Sequence, residues 1–219
     1  NSTALAVGSS VLAGILFGDV NPSGKLPMSF PKSLADTPTS TPQQYPGIFS
    51  DGTTVRPNSA AIRQVNYTEG LKVGYRWYEA ENIDPLFAFG HGLSYTDFEY
   101  SKVNVTPKNS DGSKAIRVSF RITNTGKVAG TDVAQAYVDL PESADLPSQR
   151  LVGWERVTLK PGQHKNVTIE LTPEDLDNRH LLQVWDVESD GWVTPTGTVS
   201  FRVGGASDDL SAPVSMTVR

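Results

Sequence analysis

The second half of the chain alternates hydrophobic and polar residues, which is the pattern of β-strands that bury one face. Regular alternation occurs in three runs, at residues 116–122, 167–171 and 199–203. A fourth run, residues 131–140, alternates less regularly, and its predicted inward positions are Val133, Ala136 and Val138. Turn-forming clusters separate these runs, so about seven short strands are predicted in roughly 120 residues. The pattern therefore indicates a β-sandwich.

The predicted sandwich covers residues 95–219 and has an immunoglobulin-like architecture of the fibronectin type III kind. The chain has no cysteine, so a disulfide-bonded immunoglobulin domain is excluded. The segment TPEDL at 172–176 predicts a single turn that links two of the strands. Trp154 and Trp185 fall within predicted strands, where packing into the core is the commoner fate.

The first residues of the chain have a helical pattern instead. Ser9 and Ser10 are positioned to cap a helix, and Gly18 stands where a helix usually ends. The helix has one apolar stripe, formed by Val11, Leu12, Ile15 and Leu16. Gly14 lies inside it at a cost of about 1 kcal/mol relative to alanine, which predicts close packing against another element.

A short strand is predicted after this helix, because Leu26, Met28 and Phe30 alternate with polar or small residues. One helix and one strand cannot bury a core alone, and such a step usually belongs to an α/β layer with several strands. Residues 1–35 are therefore predicted to form the C-terminal end of an α/β sandwich domain, and the chain looks as if it begins partway through that domain.

A wrapping linker is predicted for residues 36–94. Residues 31–70 are rich in Pro, Ser, Thr, Asn and Gln and show neither the helical nor the strand period. A linker of this length is expected to lie across a neighbouring surface, and its predicted anchors are Tyr45, Ile48 and Phe49.

An aromatic strip follows, because residues 75–100 hold eight of the 19 aromatic side chains of the chain. Three interpretations compete, which are a sugar-stacking platform, a core-forming segment and a strip that joins two domains. We favour the third. The candidates for interdomain packing are Tyr75, Trp77, Tyr78, Phe87, Phe89 and Tyr95.

Composition disfavours several classes of function. The net charge is −5 and no basic run occurs, so a nucleic-acid partner is disfavoured. No apolar run reaches the roughly 18–20 residues that span a bilayer, which disfavours a membrane role. Four Asn-x-Ser/Thr sequons favour a secreted, extracellular (or periplasmic) glycoprotein over the alternative, a chance surplus of sequons in a Thr-rich β protein. The candidate glycosylation sites are Asn1, Asn66, Asn104 and Asn166.

No self-sufficient catalytic or cofactor-binding constellation is visible in the sequence. Glu79 and Glu81 could share one face of an extended segment, but neighbouring acids on a linker are usually only solvated. The three histidines, His91, His164 and His180, have no second ligand at a metal-binding spacing. We therefore predict no catalytic residue in this chain, no metal and no cofactor.

Several motifs nevertheless resemble a known family. The C-terminal portion of glycoside hydrolase family 3 is similar to LFGDVNPSGKLPMSFPKS, NYTEGLKVGYRWYE and PLFAFGHGLSYTDFEYS. That family's fibronectin type III-like domain is similar to ITNTGKVAGTDVAQAYV, LVGWERVTLKPGQ and WDVESDGWVTPTGTVSFRVGGASDD. The resemblance runs in order over nearly the whole chain. Members with this layout are mostly β-glucosidases, with β-xylosidases and related exo-acting enzymes beside them.

The resemblance implies a division of labour. In the family, a barrel domain supplies an Asp nucleophile and an α/β domain supplies a Glu acid/base, and no residue here matches either motif. The chain is thus expected to be the non-catalytic C-terminal part of a retaining exo-β-glycosidase, inactive alone, whose partner is the N-terminal catalytic part and its β-glycoside substrate. A homodimer is a further expectation.

The alternative from the residues is a stand-alone polysaccharide-binding or adhesion module. Its candidate sugar-gripping residues are Tyr75, Trp77, Trp154, Trp185 and Trp192. A third idea, a small complete enzyme that uses Glu79 and Glu81, is the weakest of the three.

Overall fold

The structure is a computed structural model that describes residues 10–144, 146 and 149–219. Three α-helices occur in this part of the chain, namely α1 (residues 10–16), α2 (Tyr75–Ala80) and α3 (Pro173–Asn178). The strands are β1 (Phe98–Thr106), β2 (Asn109–Ser110), β3 (Ile116–Asn124), β4 (Gly130–Asp139), β5 (Arg150–Leu159), β6 (His164–Leu171), β7 (Val184–Asp186), β8 (Gly191–Val193), β9 (Gly197–Ala206), β10 (Asp209–Leu210) and β11 (Val214–Val218).

Two packed sheets form the predicted β-sandwich. One has three strands in the order β1-β3-β6, and the other has the order β2-β11-β9-β4-β5 with β10 paired to β9. Strands β7 and β8 form a separate two-stranded hairpin. Seven of the described strands have five or more residues, which agrees with the number expected from the sequence.

The sandwich core consists of the inward residues of both sheets. Strand β3 alternates strictly between buried and less buried positions, as its sequence predicts. The same holds for the apolar residues of β6 and β9. The largest fully buried side chains of this core include Phe201, Ile116, Ile122, Leu159 and Leu171.

Strand β4 is buried on both faces, which explains its irregular pattern. Ala134, Ala136 and Val138 point into the sandwich core, whereas Gln135 and Tyr137 are buried on the opposite face. The prediction of Val133 as an inward residue is wrong, because the register places it one position out of phase with Ala134 and Ala136. A second layer of chain must therefore cover the outer face of β4.

Helix α1 is present where the sequence predicts it, but its apolar stripe faces outward. Leu12 and Leu16 are 58% and 70% exposed. Gly18 adopts φ +83 just after the helix, so a glycine ends it as predicted. An added Cβ at Gly14 would lie 3.4 Å from Val20 Cγ2, an ordinary contact, so the described residues give no support for close packing there. The predicted cap at Ser9 lies outside the described residues.

The strand predicted at residues 26–30 is wrong. Phe30 makes only an isolated bridge with Phe87, and Leu26 N donates to His91 O. Pro27 has no amide hydrogen and therefore interrupts the ladder between these two segments. The segment is tied to residues 86–91 rather than forming a regular strand.

The predicted linker contains more structure than its sequence suggests. Phe49 is buried, as expected for an anchor, and the guanidinium groups of Arg56 and Arg63 lie over its ring. Ile48 bridges to Gln64. Tyr45 is 73% exposed in this chain, so its role as an anchor on a neighbouring surface stays a prediction.

Helix α3 extends the turn predicted at TPEDL and begins with a complete capping box. The Thr172 hydroxyl accepts from Asp175 N at 3.1 Å, and Asp175 Oδ2 accepts from Thr172 N at 3.1 Å. Hydrogen bonds from the Thr172 hydroxyl and amide hold the pKa of the Asp175 carboxyl below its ordinary value. These bonds satisfy helix N-terminal amides that would otherwise lack partners.

Replacing Thr172 with alanine is expected to lower the free energy of unfolding by about 1 kcal/mol at neutral pH. The stabilisation by the Asp175 carboxylate is present above its unfolded pKa of 3.8 and is lost as the pH falls through its lower folded pKa. The difference between wild type and variant should therefore narrow below that range. Urea unfolding at several pH values measures this, and a difference that does not change with pH would contradict it.

One edge of each sheet is short or irregular. In β1 the register shifts between Ser101 and Asn104, and Lys102 adopts φ +55 within this bulge. At the edge of the larger sheet, β2 has only two residues and pairs in parallel with β11. Neither edge presents a long, regular row of free backbone groups.

Candidate interdomain docking site

The layer that covers the outer face of β4 is built around Tyr75 of helix α2. The ring of Tyr75 meets Tyr137 edge-on at 5.7 Å and packs against Phe89 at 5.2 Å between centroids. Its hydroxyl oxygen accepts a hydrogen bond from Leu151 N at 3.0 Å. Two of the six aromatic packing candidates thus join residues 75–89 to the sandwich.

Gln135 occupies the centre of this contact. Its Nε2 donates to Gly205 O at 2.7 Å, and its Oε1 accepts from the Tyr137 hydroxyl at 2.5 Å. Gly90 lies directly over this amide with φ +83, and an added Cβ there would come within 2.4 Å of Gln135 Nε2. Only glycine fits at this position, because both the backbone conformation and the space require it.

A buried ion pair joins the first segment of the chain to the sandwich. Lys25 Nζ lies 2.8 Å from Asp132 Oδ1, and the Asp132 side chain is 8% exposed. The Tyr100 hydroxyl donates to Asp132 Oδ2 at 2.6 Å, and Val133 N donates to Oδ1. Burial, together with the Asp132 carboxylate, raises the pKa of Tyr100, so its hydroxyl stays protonated and remains a donor. The carboxylate is thus fully coordinated, as a buried charge requires.

A second polar node closes the same junction. Asn124 is fully buried, and its Nδ2 donates to Val128 O and Leu159 O. Its Oδ1 accepts from the Thr96 hydroxyl at 2.6 Å and from Gly126 N at 3.0 Å. All hydrogen-bonding groups of the amide are satisfied, which fixes the loop before β1 on the sandwich.

The remaining aromatic candidates bind the first segment of the chain. Trp77 Nε1 donates to Asp36 O at 2.8 Å, and the Tyr95 hydroxyl donates to Ile15 O. Phe87 meets Phe30 edge-on at 6.4 Å, and Tyr78 is buried. The structure therefore brings the candidates into one contact layer with residues 15–36 on one side and the sandwich on the other. Their packing against a further domain stays a prediction.

Most of the exposed large apolar side chains in the described part of the chain belong to residues 11–95. They are Val11, Leu12, Leu16, Phe17, Val20, Met28, Phe30, Leu34, Tyr45, Val55, Ile62, Val65, Tyr67, Leu71, Val73, Leu86, Phe87, Leu93 and Tyr95. We call this set the N-terminal apolar surface. An apolar exposure of this extent marks an interaction site rather than a solvated face.

The acids and histidines considered as chemical groups are dispersed. Glu79 lies in helix α2 and Glu81 just after it, so the extended arrangement considered for them is wrong, and Glu81 pairs with Lys72 Nζ at 2.6 Å. His91 packs on Phe87 and His180 stacks on Trp192. No group of three potential ligands is arranged to hold a metal ion in the part of the chain that the structure describes. Within the same residues, no helix is long and apolar enough to span a bilayer.

The polar residues of the junction were not predicted from the sequence; they are Lys25, Asp132, Asn124 and Gln135. One signal was available, because Asp132 is in phase with Ala134 and Ala136 and so occupies an inward position of β4. A carboxylate at such a position requires a buried partner. The partner itself, 107 positions earlier in the chain, leaves no trace in the local pattern.

Tyr75 offers a direct test of the contact layer. Tyr75→Ala is expected to lower the free energy of unfolding by about 3 kcal/mol, because the ring leaves a cavity against Tyr137 and Phe89. Tyr75→Phe is expected to cost about 1 kcal/mol, because Leu151 N loses its acceptor. Urea unfolding measures both values. Tyr67→Ala is the matched control, since Tyr67 is 79% exposed, and an equal loss there would contradict the assignment.

The fold defines a class of protein, namely a fibronectin type III-like sandwich with an N-terminal extension that carries an unpartnered apolar surface. Two family models match this layout. The model of the glycosyl hydrolase family 3 C-terminal domain matches residues 6–95, and that of the fibronectin type III-like domain matches residues 132–207. The chain therefore belongs to glycoside hydrolase family 3, as its C-terminal region.

Relatives and solved structures agree with this assignment. The chain is 38% identical to thermostable β-glucosidase B of Acetivibrio thermocellus and 38% identical to β-glucosidase BoGH3A of Bacteroides ovatus, over 94% and 96% of its own length. It spans only 25% and 26% of those relatives. The crystal structure of DesR, a β-glucosidase from Streptomyces venezuelae, matches 97% of the chain with a TM-score of 0.80 and 37% identity, over 25% of that structure.

Proposed function

We propose that this chain is the non-catalytic C-terminal part of a retaining exo-β-glycosidase, specifically a β-glucosidase, and that it completes and stabilises the catalytic domains. The observation that carries the proposal is the N-terminal apolar surface. It lies in the region that matches the glycosyl hydrolase family 3 C-terminal domain. The relatives named above, which are called β-glucosidases, extend well beyond the matched quarter.

The chemistry of such an enzyme needs two carboxylates about 5–5.5 Å apart, one as nucleophile and one as acid/base. The chain supplies no such pair among the residues considered, since Glu79 and Glu81 lie on and just after one short helix and Glu81 is engaged by Lys72. The nucleophilic Asp and the acid/base Glu belong to the catalytic part in this proposal. This chain then contributes apolar contact area and a rigid support.

The support is rigid because the apolar surface is tied to the sandwich at three points. These are the Tyr75 contacts on β4, the Lys25–Asp132 ion pair and the Asn124 node. A catalytic domain that packs on residues 11–95 is thereby held by a packed sandwich rather than by a free linker. Reacting groups must be held within a fraction of an ångström, so such support contributes to catalysis indirectly.

A chimera tests the proposal. The C-terminal quarter of thermostable β-glucosidase B that matches this chain is replaced by the chain, and hydrolysis of a chromogenic β-glucoside is measured. We expect activity from the chimera, and none from the truncated enzyme or from this chain alone. A truncated enzyme as active and as stable as the chimera would overturn the completing role.

Matched variants of the chimera locate the contact. Leu16→Asp places a charge on the N-terminal apolar surface, where Leu16 is 70% exposed in this chain. Val128→Asp places the same charge on the sandwich, where Val128 is 42% exposed. The first variant should lose activity or solubility and the second should retain both. Equal retention by both variants would show that this surface is not the contact.

We further propose that the parent protein is secreted and glycosylated, and that it acts on β-glucosides such as those released from cellulose. Support comes from the exposure of Asn66, Asn104 and Asn166. Asn104 and Asn166 lie on β1 and β6, the two outer strands of the three-stranded sheet. Asn1 lies outside the described residues.

Expression through a eukaryotic secretory pathway tests the modification. Mass spectrometry before and after deglycosylation should show glycans at these three asparagines, and Asn→Gln variants should remove them one at a time. An unmodified secreted product would contradict the glycosylation proposal, and retention inside the cell would contradict secretion.

A further inference from the structure

A second exposed apolar patch lies on the β7–β8 hairpin. Four of its side chains are exposed in a stretch of ten residues, namely Trp185, Val187, Trp192 and Val193. The expectation that Trp185 packs into the core is wrong, because its strand belongs to the hairpin and not to either sandwich sheet. Trp154 is likewise 60% exposed, but on β5 of the large sheet.

The two indoles of the hairpin are organised with respect to each other. Trp185 and Trp192 are directly opposite in the register, so they occupy the same face, and their rings meet edge-on at 5.6 Å. The His180 ring stacks flat on Trp192, with 3.8 Å between centroids and an interplanar angle of 8°. Trp185 is still 49% exposed and Trp192 46%.

Hydrogen bonds at the base and at the tip of the hairpin hold this aromatic cluster of Trp185, Trp192 and His180 in place. The guanidinium of Arg150 donates to the carbonyl oxygens of His180, Leu181 and Gln183. His180 adopts φ +50, and its Nδ1 lies 2.6 Å from Gln183 Oε1. At the tip, Asp186 Oδ2 accepts from Ser189 N and Oγ. Exposed aromatic rings fixed in this way lose little conformational entropy when a ligand binds.

A cavity with both polar and apolar groups in its wall opens at the base of the hairpin. Its volume is about 360 Å³, and Gln183 and Thr194, which flank the two strands of the hairpin, are part of its wall. Other groups in the wall include the side chains of Asp111, Ser113 and Asp177. The wall thus contains carboxylate, hydroxyl and amide groups beside apolar ones such as Leu176 and Leu182, and Gln183 and Thr194 connect it to the strands that carry the two indoles.

We propose that the β7–β8 hairpin, with the Trp185–Trp192 pair as its platform and the adjoining cavity, binds the pyranose rings of a β-linked glucan chain. A pyranose with equatorial hydroxyls presents flat C–H faces that pack on π faces and a rim of hydroxyls that needs donors and acceptors. The indoles supply the first requirement and the cavity wall supplies the second. This inference goes beyond the proposed function, because it needs no cleavage by the catalytic part.

The composition of the two exposed patches favours a sugar over a second protein contact. The N-terminal apolar surface consists mainly of Val, Leu and Ile with aromatics interspersed, as in a protein interface that resembles a divided core. The hairpin patch is centred on two indoles and an imidazole and adjoins hydroxyl and carboxylate groups. Sugars offer both ring faces and new polar partners, whereas an aliphatic partner surface would remove water from the carboxylate and hydroxyl groups without offering them any new partner.

Nuclear magnetic resonance of the four indole N–H groups of the 219-residue chain tests the proposal. Cellohexaose, a soluble β-linked glucan oligosaccharide, is the probe. We expect the signals of Trp185 and Trp192 to shift on titration and those of Trp77 and Trp154 to stay unchanged. This measurement needs no variant, so it holds even if a substituted hairpin fails to fold.

Variants then measure the effect on affinity. Trp185→Ala is expected to raise the dissociation constant for cellohexaose about tenfold or more, the size typical of a truncated aromatic anchor. Trp154→Ala is the matched control and should leave it unchanged, since Trp154 is exposed outside the hairpin. The same loss in both variants would overturn the assignment to the hairpin.

Two further outcomes would overturn the proposal outright. One is the absence of any shift of the Trp185 and Trp192 signals at saturating cellohexaose. The other is that the Trp185 and Trp192 signals do not change with the oligosaccharide but shift when the truncated catalytic part of thermostable β-glucosidase B is added. In that case the hairpin is a protein contact.

Discussion

Replacement of Asn124 with leucine is expected to lower the free energy of unfolding by about 3 kcal/mol or more, because several buried polar groups lose their partners at once. The amide of Asn124 serves Thr96, Gly126, Val128 and Leu159. Leucine has nearly the same shape but supplies neither donor nor acceptor. The loss is a large fraction of the typical stability of a domain, which is about 5–15 kcal/mol.

Urea unfolding followed by circular dichroism measures this loss. Asn109→Leu is the matched control, because Asn109 is exposed in the short strand β2. It should change the stability by less than about 0.5 kcal/mol. A comparable loss in both variants would mean that leucine, rather than the broken node, is the cause.

The second large effect is expected at Asp132. Asp132→Ala removes the acceptor of the Lys25 ammonium, the Tyr100 hydroxyl and the Val133 amide together. We expect a loss of about 3 kcal/mol, at the low end for a broken buried pair because Lys25 keeps some exposure. Besides lowering the overall stability, the substitution should loosen the segment around Lys25, which is part of the region that carries the N-terminal apolar surface.

Hydrogen exchange distinguishes the two parts of this effect. Relative to wild type, Asp132→Ala should accelerate the exchange of the amides of residues 21–30 more than that of the amides of β3, the central strand of the smaller sheet. A double variant, Lys25→Met with Asp132→Leu, should recover part of the stability because no unpaired charge is left buried. A double variant whose loss of unfolding free energy exceeds the summed losses of Lys25→Met and Asp132→Leu would contradict this explanation.

The sandwich was predictable from the sequence because its main strands bury only one face. Ile116, Val118, Phe120 and Ile122 show the period of 2 that such burial imposes, and the structure confirms them as core residues. The family resemblance and the aromatic strip were equally readable. Both depend on local motifs of contiguous residues.

One failure of the prediction is caused by contact between segments distant in sequence. Val133 was assigned to the wrong face because Gln135 and Tyr137 are buried by residues 75–90, which obscures the period of β4. A local pattern indicates which side chains are buried, but it does not indicate which distant segment covers them.

Two sheet edges, β1 and β2, affect where the separated chain can associate with itself at high concentration. The bulge at Lys102 and the two-residue length of β2 deny an incoming strand a regular row of backbone partners. Strand addition is therefore disfavoured at these two edges, and we expect the separated chain to associate with itself through the exposed apolar side chains of residues 11–95 rather than there. Such aggregates would keep the native sandwich folded and would dissolve when the apolar surface is covered, in contrast to amyloid-like fibrils.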